Sequence, residues 1–443
     1  MDPSTSMNPI QRPDSYAVHN TTRQQQQQHH HHHHDRKPKL LNPLQKGIQT
    51  YVTTHLPAST LTHHGLTPST LLQHLPKRFT IYEPLLLLPV NALTSPPAWH
   101  ALYDSLTPPQ RRTLFACIAQ AFHRNGVTHV AINAPITLTD TQGAENTMRS
   151  PVGLVPLYGD FGRAAVLDRQ PTGQDLRDAF WVSTVQNHGI VQIWAPLYTM
   201  FSRGNITEKA RILGMGEAGF EGLGLGLDGL VEGEEAGVVD MYAGIGYFVF
   251  SYLKRGVKRV WGWEMNGWSV EGLRRGCLAN GWGCRVVRVG EDGGLEMGMG
   301  VGELVEGLGK EDRVVVFHGD NRFAEGVLAQ VREVMLGRGR GEWKAIRHVN
   351  LGLLPSSAAA WGSACGLMDR EKGGWAHAHE NVDVRRIEEM GAEITAEMGR
   401  LRAGVLGVQG GDVGVAECRH VEQVKTYAPG VMHCVFDVKL AAL

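Results

Sequence analysis

What this chain has little of narrows its reading first. Only six cysteines occur in 443 residues, at 117, 277, 284, 365, 418 and 434. No two form a CxxC pair, which argues against a zinc ribbon or a disulfide framework and fits a reducing compartment. Charge of one sign is missing too: 43 Lys and Arg stand against 44 Asp and Glu. No global field draws the chain to nucleic acid, so any RNA contact has to come from local patches. Long apolar runs are absent. The run LLLLP at 85–89 is far too short to cross a bilayer. The N-terminus lacks the apolar segment of a secretory signal. These absences point to a soluble, cytoplasmic protein. A hydrophobic content of 42% is enough for a real core, and the length predicts two or three domains.

The composition changes along the chain. Residues 1–38 are polar, end in a Gln/His tract and read as a disordered low-complexity tail. The His tract is given no function, and Arg36, Lys37 and Lys39 read as solvated surface that could touch a polyanion. Residues 40–200 read as a mixed α/β domain, with a helix over 108–126, a strand over 127–136 and another strand beginning at 189. From 201 to 443 strand-like runs (237–242, 257–264, 313–318, 345–351, 374–380) alternate with helical ones (247–255, 266–280, 321–337, 357–371). That alternation predicts an α/β fold with a parallel, doubly wound sheet, and 424–440 predicts a terminal antiparallel hairpin. Two Gly/Glu-rich stretches, about 214–236 and 283–310, read as loop insertions.

The run VVDMYAGIGYFVF at 238–250 reads as a strand, a glycine turn and a helix start. Val249 stands where a dinucleotide site would want a third glycine, and the Lys-Ser/Thr of a P-loop is also missing. Gly244 and Gly246 still allow a sharp turn and close approach of a ligand. Three successive strand ends each carry an acid: Asp240, Glu264 and Asp320, the last followed by Asn321. Acids there would repel a pyrophosphate and welcome a sulfonium and an ammonium group, so charge sign favours S-adenosylmethionine over NAD or ATP. Glu264 is placed to accept from ribose hydroxyls, and Asp320 with Asn321 to read an adenine. Taken singly, each acid also fits a helix cap or a surface position.

Several stretches occur in a recognisable order: WAPLYTMFSRGNITEKARIL (194–213), VVDMYAGIGYF, WEMNGWSVEGLRRGCLANGW, FHGDNR, HVNLGLLPSS and GGWAHAHENV. They resemble the tRNA wybutosine-synthesising protein 2 family, in its fungal type, over roughly residues 75–443. The resemblance implies a class I methyltransferase-like Rossmann domain behind a smaller N-terminal, tRNA-contacting α/β domain. It implies that Ser202 and Lys209 contact S-adenosylmethionine, with Glu264 on the ribose and Asp320 and Asn321 on the adenine. It also implies transfer of the 3-amino-3-carboxypropyl group to carbon 7 of 4-demethylwyosine in tRNA(Phe), releasing methylthioadenosine. The alternatives on the same residues are a tRNA methyltransferase on this fold and a catalytically inactive tRNA-binding protein. No residue is assigned as a general base. Positioning alone can select which sulfonium arm reacts.

The chain departs from that pattern at Gly267, where many relatives carry Pro. After the fourth strand it has NLGLLPSS (350–357) in place of the Asn-Pro-Pro-Tyr type of the related guanine methyltransferases. In HAHEN (377–381) only His377 and His379 share a strand face, too few ligands for a closed zinc site. The pair reads as packed or RNA-facing, and no metal is expected. Lys254, Arg255, Lys258 and Arg259, and also Arg338 and Arg340, could meet phosphates. Trp194, Tyr198, Trp361 and Trp375 could stack on a base, although core packing is the plainer reading for most of them.

Overall fold

Asn42 caps the first helix in both directions. Its side chain accepts from the Gln45 N–H at 2.9 Å, and its own N–H donates to the Gln45 side chain at 3.2 Å. The computed structural model describes residues 41–133, 154–163, 169–186, 188–199, 201–215, 219–223, 236–295, 300–338, 343–407 and 415–442. Residues 42–443 make one compact unit. The tail expected over 1–38 lies outside the described residues.

Helices α1 (Pro43–Thr54), α2 (Ala58–His63) and α3 (Pro68–His74) precede strands β1 (Thr80–Tyr82) and β2 (Leu85–Leu88). Helices α4 (Pro97–Ser105) and α5 (Pro108–Ala121) and strands β3 (His129–Ile132) and β4 (Val155–Tyr158) follow. The four strands form one mixed sheet in the order β1-β2-β3-β4, in which β2 and β3 are parallel. Leu44 and Ile48 of α1 meet Leu114 and Ile118 of α5 and Leu86 of β2 in one apolar core. The Cβ that Gly47 lacks would sit 2.7 Å from the Ile118 Cα, so the two helices close to backbone contact at that point. Helix α6 (Gly173–Asp178) and the hairpin β5 (Val182–Gln186) and β6 (Ile190–Trp194) lead to α7 (Ile206–Ile212).

The remainder is an eight-stranded sheet. Its elements are β7 (Gly237–Asp240), α8 (Val249–Arg255), β8 (Val260–Glu264), α9 (Gly267–Ala279), β9 (Gly283–Arg288), α10 (Val301–Glu306), β10 (Asp312–His318), α11 (Ala324–Gly337), β11 (Ile346–Leu351), α12 (Trp361–Leu367), β12 (Gly374–Asp383), α13 (Ile387–Leu406), β13 (Ala416–Ala428) and β14 (Val431–Leu440). The order is β13-β14-β12-β11-β7-β8-β10-β9. The six strands from β12 to β9 are parallel, and β14 and β13 close the sheet as an antiparallel hairpin. Val239, Trp263 and Phe317 face α11–α13 on one side, while Val238, Val260 and Val316 face α8 and α9 on the other. Burial on both faces is why these strands read as continuous apolar runs rather than alternating ones.

Two expectations are corrected. The stretch 283–310 is not a plain loop insertion: it supplies β9, which pairs with β10 as the parallel edge strand, and α10. An edge strand has one thinly covered face, so GCRVVR carries two arginines and a glycine and hides its apolar alternation. The terminal hairpin begins at Ala416, not 424, because β13 pairs along the whole of β14. Of the other proposed insertion, Gly222 packs tightly under the Trp375 ring and Phe220 is buried, while most of the stretch lies outside the described residues.

Candidate functional site

The turn after β7 is built around two left-handed glycines, Gly244 at φ +54° and Gly246 at φ +89°. A Cβ on Gly246 would lie 2.5 Å from the Phe250 ring, so this turn folds back on its own helix and only glycine fits. Glu264 ends β8, directly beside β7. Its two oxygens accept from the Gly244 and Asn266 N–H groups, each at 2.8 Å. Burial raises the Glu264 carboxyl above its usual range, and those two N–H groups oppose the rise. One carboxylate thus ties the glycine turn to the start of α9, with lone pairs left for a ligand.

Asp240 sits deeper than a rim acid. It is fully buried, and Oδ1 accepts from the Tyr242 N–H and the Asn350 amide, both at 3.2 Å. Its Oδ2 has no partner among the described residues. Burial raises its carboxyl to about 7, and nearby Glu264 adds to the shift. Asn321, just beyond β10, donates to the Met241 carbonyl at 2.8 Å and so stitches that strand end to the same turn. Asp320 caps this turn by accepting from the Arg322 N–H at 2.9 Å, and it keeps partial exposure.

Across the turn, α7 presents Lys209. Its ammonium donates to the Gln192 side chain at 3.1 Å and lies 5.0 Å from the Tyr247 ring and 5.6 Å from the Phe201 ring. It is 3% exposed and has no carboxylate partner among the described residues, and burial pushes it down to about 7. Ser202 joins through its N–H, which donates to the Tyr247 hydroxyl at 3.1 Å. The structure therefore gathers Ser202, Lys209, Asp240, Gly244, Gly246, Glu264, Asp320 and Asn321 around one turn at the carboxyl edge of the sheet, where ligands of open α/β sheets bind.

Sequence reading missed what holds α7 in place. Arg211 donates to both oxygens of Glu208, at 2.8 and 2.9 Å, and to both oxygens of Asp437 on β14, at 2.5 and 3.1 Å. His377 meets Asp437 at 2.6 Å and His348 at 3.0 Å. All five side chains are buried. Burial alone would raise Asp437, but His377 and Arg211 outweigh it and hold the carboxyl well below its usual range. The HAHEN alternation was the visible trace of this network, and its histidines are packed. Glu380, on the opposite face, accepts from the Ser357 N–H and hydroxyl.

Gln170 adds a further tie. It accepts from the Gly267 N–H and donates to the Met265 carbonyl, both at 3.0 Å. Proline at 267 could not offer that N–H, so glycine there has a use. Arg255 and Arg259 of the basic cluster bond to backbone carbonyls inside the fold, while Lys254 and Lys258 are exposed at the opposite edge of the sheet from the glycine turn. Trp194, Tyr198 and Trp375 are buried. Arg340 lies outside the described residues.

A doubly wound parallel sheet with a closing antiparallel hairpin, a glycine turn after its first central strand and an acid at the end of the next defines a class I methyltransferase-like Rossmann protein. No family model matches the chain. Curated relatives do. It is 38% identical over 365 residues to tRNA wybutosine-synthesizing protein 2 of Schizosaccharomyces pombe, covering 82% of this chain and 72% of that protein. It is 32% identical over 418 residues to the protein of the same name in Saccharomyces cerevisiae, covering 87% and 79%. The chain belongs to the tRNA wybutosine-synthesizing protein 2 family. A solved structure of P. horikoshii TYW2 in complex with MeSAdo aligns with a TM-score of 0.49 at 18% identity, covering 89% of this chain and 98% of that one; the assignment rests on the sequence relatives.

Proposed function

We propose that this chain is an S-adenosylmethionine-dependent tRNA aminocarboxypropyltransferase. It hands the 3-amino-3-carboxypropyl group to carbon 7 of 4-demethylwyosine in tRNA(Phe). The observation that carries the reading is Lys209, a buried ammonium without a carboxylate partner among the described residues, facing the turn that Glu264 braces. An unpaired buried charge is costly unless a partner arrives. The carboxylate of the co-substrate's amino-acid arm supplies that partner.

Glu264 takes the ribose hydroxyls, and Asp320 with Asn321 takes the adenine. Asp240, with Oδ2 unpaired, provides negative charge toward the ammonium and sulfonium. Gly244 and Gly246 let the backbone come close. With the amino-acid arm gripped at its carboxylate, the methylene beside sulfur is the arm presented to the acceptor, so positioning sets the product. The acceptor carbon forms a bond to that methylene while the carbon–sulfur bond breaks. The electron pair stays on sulfur as methylthioadenosine, and the acceptor carbon loses its proton. The mixed α/β region before residue 200 is proposed as a tRNA-contacting domain. Among the described residues no helix is long and apolar enough to cross a membrane.

The test is incubation with labelled S-adenosylmethionine and tRNA(Phe) carrying the tricyclic precursor. The expected products are methylthioadenosine and label in the tRNA. Release of S-adenosylhomocysteine would replace the proposal by methyl transfer, and binding without turnover would remove the catalytic reading.

A further inference from the structure

The glycine turn, Glu264 and Asn321 account for the half of the sheet edge built from β7, β8 and β10. The other half, built from β12, β14 and β13, carries a second set of polar side chains that the cofactor reading does not use. Asn381 lies near the carboxyl end of β12, directly opposite His433 of β14, and His433 lies directly opposite Lys425 of β13. Cross-strand partners share a face, so the three side chains form a row along this edge. The Lys425 side chain lies against Gly204, in the loop that joins Ser202 to α7. The row therefore abuts the loop that leads to Lys209.

Several polar atoms of these groups have no partner among the described residues. Both amide atoms of Asn381 are covered and have no hydrogen-bond partner among the described residues, and the same holds for Asn205 Oδ1, next to Gly204. His379 and His433 bond to each other through one nitrogen each, at 3.0 Å. Their remaining nitrogens, His379 Nε2 and His433 Nδ1, are covered and unpartnered. Burial lowers both imidazoles, His433 to about 4 with Lys425 contributing, so both are neutral at pH 7. In a pair of neutral imidazoles joined by one bond, one free nitrogen is a donor and the other an acceptor. The Lys425 ammonium is half-buried and has no anion partner among the described residues. Native proteins satisfy nearly all buried polar groups, because leaving one unpaired is costly. A run of such groups at the ligand edge of a sheet calls for a ligand.

We propose that Asn381 and Lys425, backed by the fully buried His433, form the acceptor side of the site and bind one nucleotide of the RNA substrate, the amide reading the donor–acceptor edge of its base and the ammonium holding a phosphate. This rests on the transferase reading above and extends it to residues on three further strands. The chemistry fits: a purine-type edge presents donor and acceptor side by side, and a phosphate is the anion that accompanies it in RNA.

The test uses the full chain, S-adenosylmethionine and precursor-bearing tRNA, with Asn381→Leu and Lys425→Gln. Leucine matches asparagine in size. Replacing an amide that has no partners among the described residues leaves the melting temperature unchanged or higher. Cofactor affinity by calorimetry stays within about twofold, and kcat/KM for tRNA falls ~10- to 100-fold. For Lys425→Gln, KM for tRNA rises about tenfold and the slope of log KM against log salt drops by about 1. Turnover of Asn381→Leu within about twofold of the unaltered protein, with a lowered melting temperature, would make Asn381 a water-satisfied structural group and overturn the proposal. Equal losses of cofactor and tRNA affinity would also overturn it, by placing the row on the cofactor side. If the unaltered protein fails to bind S-adenosylmethionine, the transferase reading fails. If it binds and turns over but both variants are indifferent, only the acceptor proposal fails.

Discussion

Two polar sets lie near one another on the same sheet and differ in one respect. In the Arg211 set every charge has an opposite charge in contact: Glu208 and Asp437 flank the guanidinium, and His377 completes Asp437. In the Asn381 set the amide, two imidazole nitrogens and an ammonium have no partner among the described residues. The first set is complete without a ligand and fixes α7. The second set is the one proposed to be completed by the RNA substrate. Lys209 stands between Glu208 and Arg211 in sequence and between the two sets in character, since it is borne by the fixed helix and is itself short of a carboxylate among the described residues. A buried polar group that is satisfied holds structure, and one that is not marks where binding energy is available.

The largest effect that sharpens this contrast is on the satisfied set. Asp437→Asn leaves Arg211 with one carboxylate and takes the negative partner from His377. Breaking a buried pair in this way costs about 3–5 kcal/mol, so denaturant unfolding should show a lowered midpoint with an unchanged slope. Because the Asp437 pKa is depressed in the fold, its contribution is present above the unfolded carboxylate value and is lost as pH falls below about 4. The gap between the two proteins should therefore close in acid. An unfolding free energy within about 1 kcal/mol of that of the unaltered protein at pH 7 would make the network incidental.

Glu264→Ala comes next. It removes the acceptor for the ribose and also frees the Gly244 and Asn266 N–H groups, so the glycine turn loses its brace. Hydrogen bonds to a charged group contribute about 1.5–3 kcal/mol each, and calorimetry should show cofactor affinity lowered on the order of 10²-fold. Lys209→Met then separates binding from folding. Methionine fills similar space without a buried charge, so the melting temperature should hold or rise while cofactor affinity falls roughly tenfold. A loss of both together would place Lys209 with the satisfied set.

How much of this was legible in the sequence depends on the separation of the partners. Asp240, Glu264, Asp320 and Asn321 could be picked out because each sits where a strand gives way to a turn, and a strand–turn–helix rhythm is a local signal. The central strands were legible because burial on both faces writes a continuous apolar run. Edge strand β9, exposed on one side and glycine-bounded, writes no such run. Arg211 and Asp437 are 226 residues apart, and Asn381 meets His433 only through the register of β12 on β14. No periodicity in one segment encodes that register. The Gly267 departure was visible as an anomaly, but its meaning required Gln170, 97 residues away.

The smallest effect is in pH. Asp240 is raised to about 7 and Lys209 lowered to about 7. Cofactor binding needs the first ionised and the second protonated, so kcat/KM for S-adenosylmethionine, which reports the free enzyme, should follow a bell centred near pH 7. With both values coinciding, the profile should fall only roughly threefold one pH unit to either side before steepening. Bound ligand reverses both shifts, because its cations favour the Asp240 carboxylate and its carboxylate favours the Lys209 ammonium. Binding at pH 6 should therefore release protons and binding at pH 8 take them up, seen as opposite buffer dependences of the calorimetric enthalpy. In Lys209→Met the alkaline limb should vanish while the acid limb stays. A profile of Lys209→Met that keeps its alkaline limb would mean that another group supplies it, and Lys209 would then lose its place as the charge that waits for the carboxylate.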